Sequence, residues 1–408
     1  MKVIEINATY GYGSTGLIAR DIGELLKENG DEVRYAYQMG NCDPSEGHQI
    51  GSPADWKLHA LYTRLLGKQG WLSIGATRKL LKYMDQEKPD LVHLHNLHAN
   101  YINLPMLLKY LAKKNIATVV TLHDCWFLTG KCCHFVSAGC TRWKTGCGHC
   151  PKQKESPGSL FFDRSAEVAK VKRELFQNIK NLTVVGCSEW IADIAKESYV
   201  FRDCRVEQIY NGVDTDVFAP MNRQECKRKL DISAEYVMLG MANKWLDPKN
   251  RKVFETVTAN LQGNESLVLV GCTDEQRTIM ESYSRVTAVG FIKERKVLAE
   301  YYNAADAFVN LTFEDTLPTV NMEAASCGTP VITYDSCGSP ELVKEGETGY
   351  IIPQLDSKAL LNSWYKVREG EIKRSVCRQF GFEMFSKKER YKDYTALFSR
   401  FPHRRALQ

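Results

Sequence analysis

Short apolar runs alternate with longer amphipathic segments along the whole chain, a pattern that predicts parallel βαβ units. In the first half the runs cover residues 3–6, 33–37, 91–94, 118–122, 182–185 and 206–209. Between the first two, Ile18, Ile22, Leu25 and Leu26 recur at helical spacing, and Asn29-Gly30 follows where a C-cap belongs. The pattern restarts with residues 237–241, 267–270, 286–289, 307–311 and 331–333. Two doubly wound parallel-sheet halves, joined near residues 211–220, are therefore expected. Near the end, Phe385, Tyr391, Tyr394, Leu397, Phe398 and Phe401 form a mainly helical stripe.

Length agrees with this division, because 408 residues exceed what one hydrophobic core usually supports. A net charge of +5 suits phosphorylated ligands or an anionic membrane surface and gives no argument for nucleic acid. No apolar run is long enough to span a bilayer, and the first residues lack the marks of a signal peptide. The expected location is the cytoplasm, where the 14 cysteines would be reduced thiols or metal ligands.

Gly11-Tyr12-Gly13-Ser14-Thr15-Gly16 reads G-x-G-x-x-G between a strand and a helix. Amides at Gly13 and Gly16 could receive a phosphate or carboxylate. A nicotinamide enzyme would also want an acid ending the second strand, and Ala36-Tyr37-Gln38 has none. An anion-binding loop, or a tight turn that needs small residues, remains.

In the second half, Asp315 and Glu323 span a loop with Pro318 and Thr319 and the first turns of a helix. That spacing can aim two carboxylates at one ligand, and each can accept hydroxyl protons from a sugar or ribose diol. Residues 313–330, FEDTLPTVNMEAASCGTP, resemble the E-x7-E region of retaining GT-B glycosyltransferases of the glycogen synthase-like, family 4 type. Tyr210-Asn211-Gly212-Val213-Asp214 resembles the N-G-V-D signature of that group, and Gly338-Ser339-Pro340-Glu341 its Gly-x-Pro-Glu loop.

The resemblance implies a GT-B fold: two Rossmann-like domains facing a central cleft. Residues 1–213 would form the acceptor side, 214–384 the nucleotide-sugar side, and 385–408 a helix returning to the first domain. It further implies that Glu323 holds the ribose and Asp315 the donor sugar, with Glu314 beside it as a substitute. Lys249 would neutralise the leaving diphosphate, and His123 would lie near the transferred sugar. Departures are Asp315 for the usual Glu, Asn250 for a glycine and Asn243 for an arginine. Lys244, Arg251 and Lys252 are the cations available to compensate.

His93, His95 and His98 crowd one strand end, where acceptor contacts are preferred to a zinc site because no carboxylate completes a catalytic triad of ligands. Five cysteines fall in the polar loop 131–151. Of these, Cys132, Cys140, Cys147 and Cys150 resemble a pattern in a capsule- and exopolysaccharide-assembly subgroup. They would be either reduced thiols or the ligands of a structural zinc that orders the loop. The transfer itself would require no cofactor. Residues 56–83 mix tryptophan and leucine with lysine and arginine, which suits a solvated helix face or peripheral contact with the inner membrane surface.

The expected activity is retaining transfer of a hexose from a UDP- or GDP-sugar to a polysaccharide or lipid-linked oligosaccharide. The alternatives are an epimerase or phosphorylase on the same fold, or a non-catalytic nucleotide-sugar-binding subunit.

Overall fold

The computed structural model describes residues 1–155 and 157–402. The chain divides into two compact units, Met1–Asn211 with Tyr391–Gln408, and Gly212–Arg390. These divisions fall a few residues from the 213 and 384 boundaries read from the sequence. Val213 bridges to Ser386, which keeps both connecting segments in the second unit.

The first unit is built on β1 (Lys2–Tyr10), β2 (Glu32–Gly40), β3 (Gly47–Gln49), β4 (Leu91–Leu94), β5 (Ala117–Leu122), β6 (Leu182–Gly186) and β7 (Arg205–Gln208). All are parallel, in the order β3-β2-β1-β4-β5-β6-β7. Buried on both faces, the central strands are almost continuously apolar, as in Leu91–Leu94 and Ala117–Leu122. Tyr391, Tyr394, Leu397 and Phe398, on the helix Lys387–Phe398, join Val3, Ile22, Val33 and Leu91 in one core.

The second unit contains β8 (Tyr236–Met241), β9 (Glu265–Val270), β10 (Val286–Val289), β11 (Ala307–Asn310), β12 (Val331–Tyr334) and β13 (Gly349–Ile352). These form a parallel sheet ordered β10-β9-β8-β11-β12-β13. Apolar cores lie on both faces, one around Trp245, Leu267, Ile332 and Trp364 and the other around Phe218, Leu239, Tyr302 and Phe308. Every apolar run expected to be a strand overlaps one. Only β3 and β13 lie outside those expectations.

Candidate active site

In open α/β sheets a ligand sits beyond the carboxyl ends of the strands, where the strand order reverses. In the second unit the reversal lies at β8, flanked by β9 and β11. Lys249 follows β8 in the short 3₁₀ turn Pro248–Asn250, and the loop bearing Asp315 follows β11.

Asn250 joins these segments. Its Nδ2 donates to Lys244 O and Leu311 O, both at 2.9 Å, and its Oδ1 accepts from Tyr334 OH at 2.8 Å. The fully buried amide thus ties the segments after β8 and β11 to the end of β12. A glycine there, as the family resemblance implied, could make none of these bonds. Lys249 itself is exposed, with Nζ 5.3 Å from the centre of the Phe313 ring. The structure therefore brings Lys249 and the loop with Glu314 and Asp315 together. Asp315 Oδ1 accepts from Leu317 N at 3.1 Å, and its main-chain oxygen accepts from Gly338 N at 3.2 Å. Ser336 Oγ donates to Phe313 O, so the Gly-x-Pro-Glu loop is fastened to the same place.

Pro318 caps the helix Thr319–Ser326 with no side-chain hydrogen bond, and the first turn holds no acid. The amides near Thr319 are thus not satisfied by a side-chain cap, an arrangement suited to an anion. Buried polar groups fix this helix on the sheet: Asn310 Nδ2 donates to Asn321 Oδ1 at 2.8 Å, and Asn321 Nδ2 to Thr333 Oγ1 at 3.4 Å. Glu323, one turn further on, is only 9% exposed. Tyr302 OH donates to its Oε2 at 3.1 Å, and the Arg295 guanidinium lies 3.5 Å from Oε1. Burial pushes the Glu323 carboxyl up to about 7, against the opposing pull of Arg295 and Tyr302. Asn243 is exposed. Of the cations that could replace the usual arginine, Arg251 is held by Glu255 at 2.8 Å on an exposed helix face.

The first unit reverses its order at β1, between β2 and β4. Gly13 has φ +66° and opens the helix Gly13–Glu28, whose N-cap, Tyr12, provides no side-chain hydrogen bond. A Cβ on Gly16 would lie 2.5 Å from Thr9 Oγ1, so only glycine lets this turn rest on the end of β1.

At the ends of β4 and β5 four histidines collect, and sequence spacing missed what joins them. Glu5, on the neighbouring β1, places Oε2 at 2.9 Å from His93 Nδ1 and 2.7 Å from His95 Nε2. Burial disfavours its charge, yet the two imidazoles outweigh this and bring the carboxyl down to about 2. His95 Nδ1 lies 2.9 Å from His123 Nε2. Because ionised Glu5 only accepts, His95 Nε2 carries a proton; its Nδ1 accepts, and His123 Nε2 donates. Burial lowers His95 to about 4, and burial with the neighbouring histidines holds His123 well below the usual imidazole value. Thr121 Oγ1 bridges His93 Nε2 at 2.7 Å and Tyr394 OH at 3.0 Å.

His93 and His95 are 0% exposed, which corrects the expectation that they contact an acceptor. Their polar atoms serve a buried carboxylate supplied by another strand. His98 is different: it remains partly exposed and pairs with Asp124 Oδ2 at 2.8 Å. Burial opposes its charged form, but Asp124 prevails and raises the imidazole above its ordinary value.

Cys132, Cys140, Cys147 and Cys150 line one small cavity with Phe135 and Trp143. The Cys132 and Cys150 sulfurs are 3.9 Å apart, close to the roughly 3.8 Å edge of a tetrahedral zinc–thiolate site. Gly130 N donates to Cys147 Sγ at 3.2 Å, and Cys147 and His149 both adopt left-handed backbone angles in the C-x-x-C turn. A hydrogen bond from Cys132 holds the Cys150 thiol down, to about 6. Among the described residues, the ligand-type groups lying wholly within 4.8 Å are Glu5–His93–His95 and His98–Asp124–Cys133, not the four cysteines. The loop also has internal supports: Lys131 Nζ donates to Lys152 O at 2.6 Å and Gln153 O at 2.8 Å. Buried Lys172 donates to Trp126 O at 2.5 Å and Thr129 O at 3.0 Å.

Comparison with known proteins agrees with the two-unit plan. Residues 16–217 match the family described as Glycosyltransferase Family 4, and residues 226–384 match Glycosyl transferases group 1. The Escherichia coli (strain K12) protein WcaC, named as a colanic acid biosynthesis glycosyl transferase, is 26% identical over 375 residues, which is 85% of this chain and 86% of WcaC. In fold, the chain resembles sucrose-phosphate synthase from Thermosynechococcus elongatus, at a TM-score of 0.69 and 17% identity over 98% of both chains. Anabaena HepE, solved in complex with UDP and glucose, gives a TM-score of 0.67 at 15% identity, over 98% of this chain and 99% of HepE. Two parallel-sheet units, each matching its own half of this group in the group's order, show that the chain belongs to the GT-B glycosyltransferases of the family 4 type.

Proposed function

We propose that the protein transfers a hexose, with retention of anomeric configuration, from a UDP- or GDP-sugar to a hydroxyl of a polysaccharide or lipid-linked oligosaccharide precursor. The observation that carries this reading is the convergence of Lys249, the loop of Glu314 and Asp315, and the side-chain-uncapped helix bearing Glu323 at the β8–β11 reversal. Lys249 and the amides around Thr319 take the diphosphate. Asp315 accepts hydroxyl protons of the sugar, and Glu323 uses its remaining lone pairs for the ribose. Gly13 and Gly16 offer backbone amides to an anion, and His123 takes the sugar contact that the family resemblance implies for it. HepE binds UDP and glucose, and WcaC is named for colanic acid, which favours a UDP-hexose donor and an exopolysaccharide acceptor.

In the transfer, the bond from the anomeric carbon to the phosphate oxygen breaks while the acceptor oxygen bonds to the same face. The acceptor proton passes to the departing diphosphate oxygen. Negative charge grows on that diphosphate, so a cation and fixed dipoles beside it lower the barrier. No step requires a metal. A structural zinc would take Cys132 and Cys150, whose sulfurs stand 3.9 Å apart, with Cys140 and Cys147 drawn in from the same cavity, and it would order loop 131–151 without entering the reaction.

The test is a panel of UDP- and GDP-sugars with lipid-extract and oligosaccharide acceptors, followed by NMR of the product anomer. Retention is expected, and an inverted anomer rules the reading out. Lys249→Ala should lower kcat about 100-fold or more at nearly unchanged fold stability. An unchanged kcat would remove Lys249 from the mechanism.

A further inference from the structure

One helix of the first unit is amphipathic in the wrong sense. Pro53–Leu66 turns His59 and Thr63 inward and leaves Leu58 60% and Leu61 53% exposed. The buried side is a satisfied polar seam. His59 Nδ1 lies 2.8 Å from Ser73 Oγ, its Nε2 accepts from Gly70 N at 3.2 Å, and Thr63 Oγ1 donates to Asn100 Oδ1 at 2.9 Å. The leucines cannot turn inward by rotating the helix without stranding these groups. Leu58 and Leu61 are one turn apart on the same face.

A second exposed apolar segment lies against this helix. Leu160 N donates to Arg64 O at 2.8 Å, and Phe162 O lies 2.6 Å from the Cβ position of Gly67. Phe161 is 67% exposed, with Leu160 and Phe162 exposed beside it. Isolated exposed leucines are ordinary, but two adjoining segments with their apolar side chains outward form a patch. Around it stand Lys57, Arg64, Lys68 and Arg164 against the carboxylates Asp55, Asp163 and Glu167; Glu167 pairs with Lys68 and Arg164, which leaves Lys57 and Arg64 on the exposed helix face as the rim's outward cations. By contrast, the neighbouring helix Ile74–Glu87 buries Leu80 and Met84, so its apolar residues belong mainly to the core.

We propose that Leu58, Leu61 and the segment from Leu160 to Phe162 dock on an anionic lipid bilayer surface. The leucines and phenylalanines enter the headgroup boundary, and the lysines and arginines face lipid phosphates. The inference rests on the proposed lipid-linked acceptor only for its purpose; the surface stands on its own geometry.

Flotation with vesicles decides it, using phosphatidylcholine alone and phosphatidylcholine with phosphatidylglycerol. The full-length protein should bind the anionic vesicles and bind neutral ones weakly. Leu58→Glu with Leu61→Glu, and separately Phe161→Glu, should each lower vesicle affinity at least ten-fold with unchanged circular dichroism. Lys57→Glu with Arg64→Glu should remove the preference for anionic lipid. Absence of binding to either vesicle, or binding undiminished in the apolar variants, overturns the proposal. So does a wild-type dimer that Leu58→Glu splits, since a second copy would then cover the patch. Transfer to a soluble oligosaccharide should be unaffected in the apolar variants. Vesicle binding without any transfer would instead defeat the functional reading and leave the surface intact.

Discussion

Two buried carboxylates carry opposite pH signatures. Glu5 is depressed from 4.5 to about 2, so its contribution is fully present above about 4.5 and is lost as pH falls towards 2. Glu5→Gln should therefore cost about 3 kcal/mol in urea unfolding at pH 7 and flatten the acid limb of stability between pH 4.5 and 2. Glu323 is raised from 4.5 to about 7, so its protonated form stabilises the unliganded protein below 4.5, and that contribution is lost as pH rises through 7. Glu323→Gln should match the parent Tm at pH 5 and exceed it at pH 8 by a few degrees. The same variant should weaken nucleotide binding by about ten-fold in calorimetry. A residue that only supports the fold would not gain stability while losing ligand.

In loop 131–151 the four cysteines line one cavity, and of these the Cys132 and Cys150 sulfurs stand 3.9 Å apart, so the proposed zinc can be tested directly. Purified protein should hold close to one zinc per chain by elemental analysis. Cys147→Ser should lower that content and the Tm together; an unchanged metal content and Tm would leave the loop to Lys131, Lys172 and its short 3₁₀ turns. Strands of this protein were readable because buried parallel strands are apolar on both faces, as Leu91–Leu94 is. Gly47–Gln49 was not, because an edge strand of Gly-His-Gln carries no such signal. The site divides in the same way. Lys249 and Asp315 sit within local motifs, whereas Glu5 meets His95 only because β1 and β4 pair across some ninety residues of chain. Asn250 looked like a departure from pattern, and its three partners became visible only when three strand ends met. Burial of Glu323 was similarly hidden, since Arg295 and Tyr302 reach it from another helix.

At the scale of the molecule, the first unit is discontinuous and the second is a single stretch. Residues 212–390 expressed alone should therefore melt cooperatively, while residues 1–211 alone should lack a cooperative transition in circular dichroism. Tyr391, Tyr394, Leu397 and Phe398 are each at most 2% exposed in the first unit's core, and removing them leaves a hole that large. A cooperative melt of residues 1–211 would show the core complete without them. On the ribosome the same arrangement inverts the usual order. Residues 212–390 are available as a whole before Tyr391 has been made, so the half encoded second can finish folding first. Until the returning helix emerges, the half encoded first must wait with its apolar face uncovered, in need of whatever shields nascent chains from aggregation.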